Sequence, residues 1–81
     1  MSLPEQMANR FDRRDQMIKL IEELGECSAA VARVLNGDTP ENMIDEIIDV
    51  EFLFDQMRYY FDGFESAKGK NDEEIKNRFF K

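Results

Sequence analysis

Two stretches of helical periodicity flank a single turn signal, and that pairing limits the fold more than any other feature of the chain. Met17, Leu20, Leu24, Cys27, Val31, Val34 and Leu35 fall in one arc at about 100° per residue, with Ile21 on its edge. Small residues Gly25, Ala29 and Ala32 occupy another face, where a second helix could approach closely. Asn36-Gly37-Asp38-Thr39-Pro40 then interrupts the pattern. Gly37 suits the residue just past a helix end, Thr39 an N-cap, and Pro40 a first helical position. A second helix is expected from about Thr39 to Asp62. Its main arc holds Met43, Ile47, Val50, Leu53, Phe54, Met57, Phe61 and Phe64, while Ile44, Ile48, Phe52 and Tyr59 make a strip on the far side. Two helices apolar on more than one face have too much to bury as a lone hairpin. The expected fold is all-α: an antiparallel helical hairpin plus a short C-terminal helix, completed to a four-helix-type bundle by homo-oligomerisation, as a homodimer or homotetramer.

The flanks fit this scheme. Pro4-Glu5 suits a first helical turn, after which Met7 and Phe11 begin an apolar spacing. A break is expected in the charged stretch from Arg10 to Asp15. An unbroken helix from Glu5 to Asn36 would run nearly ~50 Å, whereas a compact domain of this length is roughly 30 Å across. Gly63 is expected to end the second helix, with a loop at Lys68-Gly69-Lys70. Asn71 can then cap a last short helix, Glu74 being its capping-box partner. Ile75, Phe79 and Phe80 give that helix an apolar side, and Lys76, Arg78 and Lys81 make it locally basic. Residues 1–81 read as one domain.

Composition excludes several chemistries. There is no His, which removes Ser/His triads, His-ligated zinc and the Glu-x-x-His pairs of di-iron bundles. The net charge of −7 argues against a nucleic-acid partner, since duplex phosphates would be repelled. It leaves open a single nucleotide held through metal ions. Cys27 is alone, so no disulfide framework exists and a reducing compartment is expected. No apolar run approaches the ~20 residues of a membrane span. The chain reads as cytoplasmic, with no membrane partner.

Acidic side chains supply the candidate site. Glu23 and Glu26 lie three residues apart, as do Glu46 and Asp49, so each pair projects from one helix face. The turn's middle lies 13 residues past the centre of the first pair and 10 before the centre of the second. In an antiparallel hairpin this brings the pairs within roughly 5 Å of the same height. Glu23 borders the apolar arc and Glu46 falls inside its own, where a carboxylate needs a partner or a metal. Four carboxylates at one level cannot all stay charged without a cation, and hard oxygen ligands suit Mg²⁺. Lys19, one turn before Glu22 and Glu23, is placed either for a helix salt bridge or for contact with phosphate.

The order Glu22-Glu23-x-x-Glu26, nineteen residues, then Glu46-x-x-Asp49 resembles the signature of MazG-type all-α nucleoside triphosphate pyrophosphohydrolases. From Met17 to Gly25 and from Glu46 to Phe61 the chain is similar to the small, phage-like branch, in which a Gln follows the second acidic motif in the same helix. The resemblance covers roughly half the chain. It implies Mg²⁺-dependent cleavage of the α–β anhydride of a (deoxy)nucleoside triphosphate, releasing monophosphate and pyrophosphate. By position, Glu23, Glu26, Glu46 and Asp49 would ligate the metal. Glu22 would orient or deprotonate the attacking water, and Lys19, with Lys76 and Arg78, would balance the phosphates. That branch usually continues into a basic tail helix, so phosphate contacts from a tail are expected to be reduced. The resemblance assigns no base pocket; Tyr59, Tyr60, Phe61 and Phe64 are candidate stacking residues, with core and interface packing as their ordinary role. The competing expectation is a non-catalytic helical interaction or regulatory module on the same fold.

Overall fold

A computed structural model describes residues 1–69 and 71–80. Five helices follow one another: α1 (Leu3–Arg10), α2 (Arg13–Leu35), α3 (Glu41–Tyr60), α4 (Phe64–Lys68) and α5 (Asp72–Phe79), with no strand among the described residues. Among the described residues, no helix is long and apolar enough to cross a membrane.

The break expected before α2 falls at Phe11-Asp12. Both residues are extended, and the Asp12 side chain accepts from the Asp15 N–H at 3.3 Å, capping α2. The Tyr60 hydroxyl donates to the Phe11 carbonyl at 2.8 Å, tying this joint to the end of α3. At the other end of α2, Gly37 adopts φ 105°, its N–H bonding Val34 O at 3.0 Å while Asp38 N–H bonds Arg33 O at 3.0 Å. These two bonds form a Schellman motif, and the left-handed φ is what requires glycine there.

α3 is shorter than expected at both ends. Pro40, not Thr39, occupies the N-cap position, and the Pro40 carbonyl receives the first helical bond from Ile44 N–H at 2.9 Å. Thr39 instead hydrogen-bonds the Glu41 carboxylate, which together with Glu41's own N–H holds that carboxyl below its ordinary range. The helix stops at Tyr60, and Gly63, at φ 98°, opens α4 rather than closing α3. Phe64 therefore belongs to a separate short helix. Asn71 caps α5 as expected, accepting from Glu74 N–H at 3.0 Å. Lys70 and Lys81 lie outside the described residues.

α3 packs against both α1 and α2. The α2–α3 pairing is antiparallel: Gln16 meets Gln56 at 3.0 Å, and farther along Glu23 meets Glu46 and Asp49. The inward residues follow heptad stripes. On α3 the stripe is Met43, Glu46, Val50, Leu53, Met57 and Tyr60, with Phe52 and the fully buried Gln56 inward beside it; on α2 it is Gln16, Leu20, Glu23, Cys27, Ala30 and Val34. Burying Val50, Leu53 or Met57 each contributes about 1.5–3 kcal/mol.

The α2 stripe corrects the expected arc. Met17, Ile21, Leu24, Val31 and Leu35 form a second stripe one residue away, and all five are exposed, Ile21 at 70% and Leu35 at 86%. Gly25, Ala29 and Ala32 do not carry the helix contact either; the buried small residue is Ala30.

Candidate metal centre and adjoining cavity

Glu23 on α2 and Glu46 and Asp49 on α3 each contribute a carboxylate oxygen to one cluster, all three atoms lying within 4.8 Å of one another. The heptad seam explains the convergence. Glu23 and Glu46 occupy inward positions of facing helices, and Asp49 lies one turn beyond Glu46 on the seam's edge. Glu23 and Glu46 are half-buried and Asp49 is exposed.

Glu46 is the most constrained of the three. Its Oε2 is buried and has no hydrogen-bond partner. Its pKa is raised above the ordinary carboxylate value, chiefly by desolvation and then by the negative charges of Glu26, Glu23 and Asp49. A proton shared with Glu23 pushes in the same direction. Two ionised carboxylates only accept, so without that proton Oε2 is orphaned. A divalent cation would resolve both problems at once, supplying charge and an electron-pair acceptor. The all-oxygen donor set suits a hard ion such as Mg²⁺.

Glu26 is outside the set of three converging oxygens and is exposed, although its charge is the largest electrostatic influence on Glu46. Lys19 pairs with Glu23, Nζ to Oε1 at 3.7 Å, with its own side chain 56% exposed. The Glu23 side chain is only 15% exposed, so the pair joins a solvated ammonium to a largely covered carboxylate. Glu22 is exposed and is not among the three converging carboxylates.

A cavity of about 240 Å³ adjoins the carboxylates. Lys19, Glu23 and Asp49 form one end of its lining; Gln16, Gln56, Leu53, Phe52 and Met7 complete it. Met7 reaches it because α1 packs across α3. Lys76 and Arg78 do not line this cavity, and Lys76 pairs with Glu73 on its own helix at 3.8 Å. The four aromatic candidates do not line it either. Tyr60 is held by Phe11 and Gln56, and Tyr59 lies 3.2 Å from Ser2 Oγ. Phe61 lies under Arg13 and Phe64 under Arg58, 5.0 and 5.2 Å from guanidinium carbon to ring centroid. The aromatic wall is Phe52. Its membership of the far-side apolar strip could have signalled a free ring, whereas Gln16, Gln56 and Met7 carried no sequence signal of proximity.

Compared with known protein families, characterised proteins and solved structures, the chain matches none.

Proposed function

We propose that this protein is a Mg²⁺-dependent nucleotide pyrophosphohydrolase of the MazG type, acting in the cytoplasm on the α–β anhydride of (deoxy)nucleoside triphosphates. The observation that carries this reading is the buried, unpartnered Oε2 of Glu46, converging with Glu23 and Asp49 beside a cavity that also receives Lys19. Helix packing alone has no use for a repelling cluster in its seam.

Glu23, Glu46 and Asp49 would hold the ion, with Glu26 adding negative charge nearby. Mg²⁺ there would supply charge neutralisation for the polyphosphate and a bound water of lowered pKa. Glu22, exposed on the same turn as Glu23, would orient the attacking water or take its proton. Lys19 would leave Glu23 to neutralise the departing pyrophosphate. Lys76 and Arg78 enter the reading only as phosphate contacts from a repositioned α5 or from a second copy.

The active form in this reading is a homo-oligomer. The exposed surface of 6475 Å² exceeds the roughly 5,100 Å² of a compact folded monomer of this mass. The Cα radius of gyration of 15.3 Å likewise exceeds the roughly 12 Å of a compact 81-residue chain. The surplus is larger than the ~800 Å² that each partner contributes to a standard interface. The outward stripe from Ile21 to Leu35 supplies the apolar face that a second copy would cover.

Pyrophosphate release from a panel of triphosphates, with Mg²⁺ and then with EDTA, tests the enzyme. Release is expected from the native chain, with a drop of at least a hundredfold in Glu46→Gln. Absence of release from every triphosphate would refute turnover. The second reading, a non-catalytic helical module, is favoured by that same exposed stripe, which fits a docking surface as well as a dimer interface.

A further inference from the structure

The cavity beside the carboxylates is walled unevenly. Its α2 and α3 sides are fixed: Leu53 and Gln56 are buried, and Gln56 Nε2 donates across the seam to Gln16 Oε1 at 3.0 Å. Met7, carried on α1, closes another side. That helix has no buried residue, and Met7 itself is only half-buried. Eight residues are too few for a helix to be stable by itself in water, so α1 takes its order from α3, on which it packs. Among the described residues, two hydrogen bonds fasten this segment to the end of α3. Tyr60 donates to the Phe11 carbonyl at 2.8 Å, which pins the joint with α2. At the far end, Ser2 Oγ and the Tyr59 hydroxyl lie 3.2 Å apart, and both residues are exposed. The joint is thus held by a short bond to a half-buried tyrosine, and the tip by a longer one in solvent.

At about 240 Å³ the cavity falls below the roughly 300 Å³ at which sites for small organic ligands begin. A whole nucleoside triphosphate is not enclosed by these walls as they stand, so one of them has to give. Resting on the nucleotide reading above, we propose that α1 is a strap across the cavity. It releases Ser2 from Tyr59, pivots at Phe11-Asp12, lifts Met7 out of the cavity to admit the nucleoside triphosphate, and closes again over it. Phe11 and Asp12, both extended, are the residues between α1 and α2, so a change of their dihedrals carries α1 as a unit. Moving α1 uncovers no buried side chain of its own and leaves the Gln16–Gln56 tie between α2 and α3 in place. Moving α2 from α3 would instead open the seam at Val50, Leu53 and Met57. Reclosure over the bound ligand keeps water from the carboxylate end.

Hydrogen exchange on the native chain and a cross-link at the tip test the strap. In the free protein the hydrogen-bonded amides of α1, from Gln6 to Phe11, are expected to exchange about a hundredfold or more faster than those of Leu53 and Met57, by an opening nearly insensitive to urea. Mg²⁺ with the non-hydrolysable α,β-imido analogues of the four common deoxynucleoside triphosphates should slow α1 by about tenfold or more. In a Cys27→Ser chain, Ser2→Cys and Tyr59→Cys place two thiols at the tip contact, which a short flexible bismaleimide can bridge. By isothermal titration the bridged protein should bind the analogues about tenfold or more weakly than the same protein capped at both thiols with N-ethylmaleimide. Equal affinity of the bridged and capped forms would overturn the strap and leave the nucleotide reading standing. So would α1 amides that exchange only with global unfolding, or analogue binding that leaves α1 exchange unchanged. If neither the native nor the capped protein binds any analogue, the nucleotide reading falls and the strap's role as its gate falls with it. Should the triple variant fail to fold, exchange of the native chain with and without the analogues decides alone.

Discussion

Replacing Glu46 by Gln tests the site without requiring a known substrate. The amide keeps the side chain's shape and can donate to Glu23, so the seam should close at least as well as before. What disappears is one of three converging carboxylates. A ligand that binds only the folded state at a hundred times its Kd adds about 2.7 kcal/mol of stability. For 81 residues the unfolding entropy is about 0.17 kcal/mol/K, so that increment is worth roughly 16 °C in Tm. Loss of a direct ligand should weaken binding at least as much as loss of an outer partner, tenfold to a hundredfold. At the same Mg²⁺ concentration the variant should then gain only about 8 °C to 2 °C. Differential scanning fluorimetry at fixed protein concentration and matched ionic strength reads this directly. Glu51→Gln is the control, removing an equal charge from an exposed position on α3 outside the cluster. A Mg²⁺ shift in Glu46→Gln as large as in the native chain would refute the site, as would an equal loss in Glu51→Gln.

Other outcomes follow from the same geometry. Without metal, the folded-state pKa of Glu46 lies above its unfolded value, so the folded form binds the extra proton between the two. Stability should therefore fall as pH rises through that interval, and Glu46→Gln should flatten this part of the Tm–pH profile. A profile in which the native chain gains stability there relative to the variant would contradict the raised pKa. Leu53→Ala, in the buried seam, should cost about 2–5 kcal/mol in urea denaturation; a cost under ~1 kcal/mol would mean the seam is not packed as described. Tyr60→Phe removes the bond to Phe11 and one partner of Gln56, and should destabilise by about 1–3 kcal/mol in the same assay. Ile21→Lys with Leu35→Lys should shift sedimentation toward monomer while leaving helical content largely intact; an unchanged sedimentation coefficient would count against the outward stripe as an interface.

Much of this arrangement can be traced to residues whose physics is local. Gly37 tolerates a left-handed φ, Asp12 and Asn71 carry capping oxygens, and the spacing about the turn brings Glu23 level with Glu46 and Asp49. Each of these depends on neighbours within one or two turns, or on counting along two rods joined at a known point. The seam of α2 is a different kind of problem. Two heptad stripes run side by side, one through Gln16, Glu23 and Ala30, the other through Ile21, Leu24 and Leu35. Hydropathy ranks the second as the core. Yet α3 brings Val50, Leu53 and Met57 to the shared face together with Glu46, and it packs against the more polar stripe.

That choice explains both the site and the exposed apolar face. Turning α2 by one residue would bury Ile21 and Leu24 against α3 but carry Glu23 away from Glu46. Glu46 would then remain in the seam with fewer groups able to share a proton or a cation with it. The observed register instead concentrates the carboxylates and leaves Ile21, Leu24, Val31 and Leu35 uncovered. Apolar periodicity reports how much surface must be buried, not whether the covering surface comes from the same chain. The cavity is legible in sequence for a related reason only in part. Its acidic end comes from two helices whose register can be counted, whereas Met7 and Phe52 meet only once α1 folds back across α3, and that angle is set at the Phe11-Asp12 break by a contact from Tyr60, forty-nine residues away in the chain.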